Sequence, residues 1–140
     1  MTTAREIMTP SIEVAQRDES IAEAALRMRE KDIGALPVCN TEQRIDGVLT
    51  DRDITVLVVA AGLDPNATAV GDVVEEREVV TIGADESAEE ALRTMQEHAV
   101  RRVPVVDGHQ VIGMVSQGDI ATNLPEKQTG RLVEAISEAP

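Results

Sequence analysis

At 140 residues the chain can bury a core without disulfide or metal staples, and its single cysteine, Cys39, cannot form an intrachain disulfide. A formal charge of −13 repels phosphate backbones and argues against nucleic acid as a partner, while the absence of Phe, Tyr and Trp removes the platforms on which bases commonly stack. The longest apolar run, near Ile54 to Gly62, falls far short of the ~20 residues of a membrane span, and no charged, apolar leader precedes Ala4, so a soluble cytoplasmic protein is expected.

In chain order, a short strand is expected near Ser11 to Ala15. Ser20 then precedes Ile21, Ala24, Ala25 and Met28, spaced as on the buried face of a helix, and Glu23 completes a capping box. Next come a strand over Leu36 to Cys39, a turn at Asn40 to Glu42, a strand ending at Thr50, and a helix from Arg52 to Ala61 closed by Gly62. The stretch "GLDPNATAVGDV" is rich in turn formers and reads as a connector. The same order then returns: a strand over Val79 to Ile82, a helix after Ser87 with Ala88, Ala91, Leu92 and Met95 apolar and Glu90 in the box, a strand over Val103 to Val106, a turn at Asp107-Gly108, and a strand ending at Ser116. Gln128 to Ser137 carries Leu132, Val133 and Ile136 on one face and predicts a final docking helix.

This recurrence is an internal repeat. "RDESIAEAALRMREKDIGALPV" reappears as "ADESAEEALRTMQEHAVRRVPV", and "GVLTDRDI" as "GMVSQGDI". The expected fold is α+β, two β-α-β-β-α units, with boundaries at residues 1–66 and 67–127 and a C-terminal helix over 128–140.

Thr50-x-x-Asp53 and Ser116-x-x-Asp119 allow two readings. Either the side chains only satisfy the orphan amides of a helix start, or each Asp also presents a carboxylate to a ligand. Both helix starts follow a strand directly, where cleft ligands commonly bind, and free amides there favour a phosphate.

With "LPV" and "VPV" after the first helix of each repeat, and Gly-x-x-[Ser/Thr]-x-x-Asp twice, the chain from Met8 to Leu124 resembles a pair of cystathionine β-synthase (CBS) domains, the Bateman module. The resemblance implies tandem CBS domains with pseudo-two-fold symmetry, two clefts suited to an adenosine-containing ligand, and a homodimer. It also implies ribose held by the Asp and phosphate by the Thr or Ser. On this basis a first, nucleotide-type cleft groups Thr50, Arg52 and Asp53 with Thr81, Val100, Arg101 and Arg102, whose three guanidinium groups suit a polyphosphate. A second, weaker cleft groups Ser116 and Asp119 with Ile33, Gly34 and Ala35; Gly118 replaces Arg52 there, and no cation is expected. Adenine would lie against aliphatic side chains such as Ile33 or Val100.

His98 and His109 lack further ligands nearby in sequence, so no metal site is expected, and Cys39 reads as a buried small hydrophobe. No catalytic constellation is visible. The expectation is a non-enzymatic sensor of an adenine nucleotide (AMP, ADP or ATP class) that requires no cofactor and passes its state to a partner protein. The alternative is a ligand-free, stress-associated homodimer acting through protein contacts.

Overall fold

The computed structural model describes residues 1–10, 13–124 and 135–136. The chain opens with α1 (Ala4–Ile7) and the two-residue strand β1 (Thr9–Pro10). The first repeat follows as β2 (Ala15–Gln16), α2 (Ile21–Lys31), β3 (Ala35–Cys39), β4 (Ile45–Thr50) and α3 (Asp51–Asp53), which continues as a π-helix over Ile54–Val59. After α4 (Val70–Val73), the second repeat supplies β5 (Ile82–Gly83), α5 (Ala88–His98), β6 (Arg102–Asp107), β7 (Gln110–Ser116) and α6 (Gln117–Asn123).

The periodic helices form where their caps predict. Ser20 and Ser87 each accept a hydrogen bond from the backbone N–H three residues on, at 3.1 Å. Both helices end on a left-handed residue that is not glycine, Asp32 (φ 52) and Ala99 (φ 50). The opening strands are shorter and later than expected, because only Ala15–Gln16 and Ile82–Gly83 pair with a neighbour; Ser11 lies outside the described residues. The end of the expected connector is helical, as α4, whose first turn is closed by Ala69 N–H donating to Asp72 Oδ2 at 2.9 Å. The second hairpin turns at Gly108 (φ +64) and His109, one residue beyond the expected Asp107-Gly108. The expected C-terminal helix lies outside the described residues except at 135–136, where Ile136 packs on the core of the second repeat.

Two compact units result. One is Glu13–Val79; the other joins Met1–Ile12 to Val80–Pro140. In the first unit a three-stranded sheet in the order β2-β3-β4 packs on a core that includes Ile21, Met28, Leu36, Leu49, Val58 and Val70. In the second, a four-stranded sheet in the order β1-β7-β6-β5 packs on Ile7, Leu92, Met95, Val103, Val115 and Ile120. Each fully buried aliphatic side chain of this size contributes roughly 1.5–3 kcal/mol toward ordering its sheet.

The segment that precedes each repeat is built into the unit of the other. β1 pairs antiparallel with β7, Thr9 opposite Met114, and a Cβ on Gly113 would lie 2.5 Å from Met8 Sδ and 2.8 Å from the Thr9 carbonyl. Val74, which follows α4 as Met8 follows α1, stands in the same relation to Gly47, 2.4 Å from the position of its missing Cβ. Only glycine lets these segments approach so closely.

Candidate helix-start sites

Each repeat turns from its last strand directly into a helix, and the two turns are built alike. In the first unit Ala35 is the cross-strand partner of Thr50, and Asp51 N–H donates to the Gly34 carbonyl at 2.9 Å. In the second, Arg102 is the partner of Ser116, and Gln117 N–H donates to the Arg101 carbonyl at 2.9 Å. Ile33 and Val100, each one residue earlier, are half-buried and pack on their own unit's core.

The Thr50-x-x-Asp53 turn closes on itself. Asp53 N–H donates to Thr50 Oγ1 (3.1 Å), and Thr50 N–H donates to Asp53 Oδ2 (2.9 Å). Asp53 Oδ1 has no partner among the described residues. Asp119 is more fully occupied. Its Oδ2 accepts from Ser116 N–H (2.8 Å) and Ser116 Oγ (3.0 Å), and its Oδ1 faces Thr9 Oγ1 at 3.5 Å. The cap reading of both motifs is therefore correct, and the cap still leaves carboxylate acceptor capacity unused.

Antiparallel pairing within each hairpin decides which expected residues meet. Ile33, Gly34, Ala35, Thr50, Arg52 and Asp53 come together in the first unit, and Val100, Arg101, Arg102, Ser116 and Asp119 in the second. Thr81 is half-buried at the head of β5. The expected groupings are crosswise, each drawing on both units. Within the second unit the strand that begins at Arg102 lies against the strand that ends at Ser116, so the backbone of the arginine pair runs beside that turn, whereas the expected grouping with Ile33, Gly34 and Ala35 draws on the other unit. Within the first unit, Arg52 is the cation at the Thr50 turn.

Arg52, Arg101 and Arg102 are exposed and form no ion pair among the described residues, although acidic side chains outnumber basic ones by 26 to 13. Elsewhere Arg5, Arg17, Arg27 and Arg93 are each paired with carboxylates, while Arg29 and Arg77 form no ion pair among the described residues. A guanidinium that finds no carboxylate in so acidic a chain is available to an external anion.

Among the described residues no three His, Cys, Asp or Glu side chains converge as metal ligands. His98 is the last residue of α5, and His109 sits in the second hairpin turn. Cys39 is buried, and burial raises its thiol pKa above the ordinary 9.0, with the nearby Asp46 carboxylate adding to the rise. No helix among the described residues is long and apolar enough to cross a membrane.

Thr9 is not a candidate on sequence grounds. Its proximity to Asp119 comes from the crossing of the N-terminal segment, and the repeat gives no hint of it, because the matching residue after α4 and Val74 is Glu75.

The CBS domain family matches twice, over residues 4–60 and 70–126. The chain is 45% identical over 136 residues to hypoxic response protein 1 of Mycobacterium tuberculosis, covering 97% of this chain and 94% of that protein. A crystal structure of hypoxic response protein I with two coordinated zinc ions superposes with a TM-score of 0.76 at 45% identity, over 89% of this chain and all of that one. The structure of CBSX2 in complex with AMP gives a TM-score of 0.67 at 25% identity, over 87% of this chain and 95% of that one. With the repeat, the paired Gly-x-x-[Ser/Thr]-x-x-Asp turns and these matches, the chain belongs to the CBS-domain family, as a tandem of two CBS domains in a mixed α+β fold.

Proposed function

We propose that this CBS-domain tandem is a non-enzymatic regulatory module that binds an adenosine-containing ligand of the AMP, ADP or ATP class. Asp53 and Asp119 accept the ribose hydroxyls. Thr50 with Arg52, and Ser116 with Arg101 and Arg102, receive the phosphates. Ile33 and Val100 offer aliphatic surface to adenine, and Thr81 is a further polar contact. The observation that carries this reading is the combination at each turn of a cap-held carboxylate with spare acceptor capacity and a guanidinium without an ion pair. The family relation to a protein solved with AMP supports the choice of ligand. Zinc, present in the hypoxic response protein I structure, has less support here, since no group of three ligands converges among the described residues.

The chain also acts as a homodimer in this reading. Val56, Leu57, Val59 and Leu63 are exposed within Ile54 to Leu63, a stretch without a charged residue, and Val59 is 66% exposed. A second copy offers the matching uncharged face, and ligand binding alters the pair only if it prefers one arrangement over another. Val59→Glu should leave the fold intact and shift sedimentation to the monomer; an unshifted wild-type-like dimer would reject this face.

Without Phe, Tyr or Trp, the pure protein absorbs little between about 260 and 280 nm, so a peak near 260 nm reports co-purified nucleotide. Calorimetric titration with AMP, ADP and ATP tests the reading directly. Asp53→Asn keeps a cap acceptor but removes the charge, and should weaken binding at its turn by roughly 10- to 100-fold. Absence of heat from all three nucleotides in the wild type would refute the proposal in favour of a ligand-free homodimer.

A further inference from the structure

The two ribose-type carboxylates differ in how much acceptor capacity their caps leave. An ionised carboxylate offers about four lone-pair positions. Asp53 has one filled, by Thr50 N–H. Asp119 has two filled by Ser116 and a third faced by the Thr9 hydroxyl. A vicinal diol needs two acceptor positions, so Asp53 can take one as it stands and Asp119 cannot. One partner of Asp119 must leave, and Thr9 is the one able to go: it is exposed, its contact at 3.5 Å is the longest of the three, and β1 is an edge strand of only two residues. The Ser116 bonds, by contrast, hold the helix start together.

We propose that Thr9 is a specificity-determining residue for the Asp119 turn, acting as an internal hydroxyl that occupies the position a ligand diol would take. A ligand gains Asp119 only by displacing Thr9, so the second turn binds a ribose more weakly than its arginine pair alone would allow, and binding there loosens β1. The first repeat has no such device. The residue matching Thr9 is Glu75, whose side chain is not a hydroxyl, and residues 75–79 form no strand with β4, to which Arg77 N–H donates one backbone bond at the Asp46 carbonyl (3.0 Å).

The inference rests on the nucleotide reading above, and the test keeps the two apart. In an Asp53→Asn background, where the Asp119 turn is the remaining diol site, Thr9→Val keeps a β-branched strand residue and removes the hydroxyl. AMP should then bind about fivefold tighter, the equivalent of one long, weak hydrogen bond, and discriminate more strongly against 2′-deoxy-AMP. An AMP affinity unchanged by Thr9→Val would overturn the role of Thr9 while leaving the nucleotide reading standing. A wild type that binds no AMP overturns both. Amide exchange without nucleotide gives a second readout. Asp119→Asn should speed exchange at Thr9 and Met114, and unchanged rates would show that Asp119 does not hold the strand.

Discussion

At the same place in the two repeats the chain solves one problem in opposite ways. Arg17 corresponds to Ala84 and Asp46 to Ile112. In the first unit Arg17 makes a bidentate pair with Asp46, with N–O distances of 2.7 to 3.1 Å, and donates to the Val74 carbonyl, tethering the segment that leads to the second repeat. In the second unit Ala84 is buried, Ile112 packs on the core, and the incoming segment is held by strand pairing between β1 and β7. A charged tether and a backbone ladder are alternative ways to fix a crossing segment. The charged one does not require the segment to be a strand, and residues 75–79 are not one, although Arg77 N–H adds a single backbone bond to the Asp46 carbonyl at 3.0 Å.

Breaking the charged tether should have the largest effect. Arg17→Ala leaves a mostly buried Asp46 unpaired and should cost about 3 kcal/mol. Adding Asp46→Ile recreates the apolar pair of the second repeat and should recover most of that loss, since apolar replacement of a buried pair is often neutral or better. Urea unfolding followed by circular dichroism decides it; a double variant no more stable than Arg17→Ala would show that the Val74 contact, rather than the unpaired charge, dominates. Next in size is the ladder. Gly113→Ala pushes a methyl into the Thr9 carbonyl and should cost roughly 1–3 kcal/mol, whereas Gly47→Ala meets the Val74 side chain first, with the Arg17 guanidinium and the Glu75 carbonyl at 3.4 and 3.6 Å, and should cost less because no backbone atom lies closer than that. Equal losses at the two glycines would erase the distinction.

Much of this arrangement is legible in the sequence, and the illegible part has a pattern. Ser20, Ser87, Thr50 and Ser116 announce their helices because a cap and its spacing are local, and the strand ends at Thr50 and Ser116 are correct to the residue. What is hidden depends on partners far along the chain. Nothing in "AREIMTP" says that it packs on the second repeat, and nothing in Arg17 says that Asp46 awaits it. The place of Arg101 and Arg102 beside Ser116 follows from hairpin register, which pseudo-symmetry between the repeats does not announce. Ile54 to Val59 is apolar on several sides, so its period cannot reveal that Ala60 N–H reaches back five residues to Thr55 in a π-helix, while Leu124 N–H closes α6 on Ile120 in an ordinary turn.

Smaller effects sharpen the comparison further. Ala99 and Asp32 both end their helices in the left-handed region, which alanine tolerates less well than aspartate. Ala99→Gly should therefore raise stability by about 0.5–1 kcal/mol and Asp32→Gly by less, measured as shifts in the urea midpoint. The smallest effect concerns Cys39, which corresponds to Val106. Its folded pKa lies above 9.0, so the folded protein keeps a proton that the unfolded chain releases. The stability linked to this group is complete below 9.0 and declines as pH rises through the folded value. Cys39→Val should flatten that alkaline decline, and an unchanged slope would assign it to other groups.

The exchange of leading segments carries a consequence for how such a chain can come into being. A protein with one repeat could complete its sheet and core only by taking up the leading segment of another molecule, and its folding would then depend on concentration. Joining two repeats in one chain makes that exchange internal: each half supplies its opening residues to the other, and their effective concentration is set by the linker rather than by the cell.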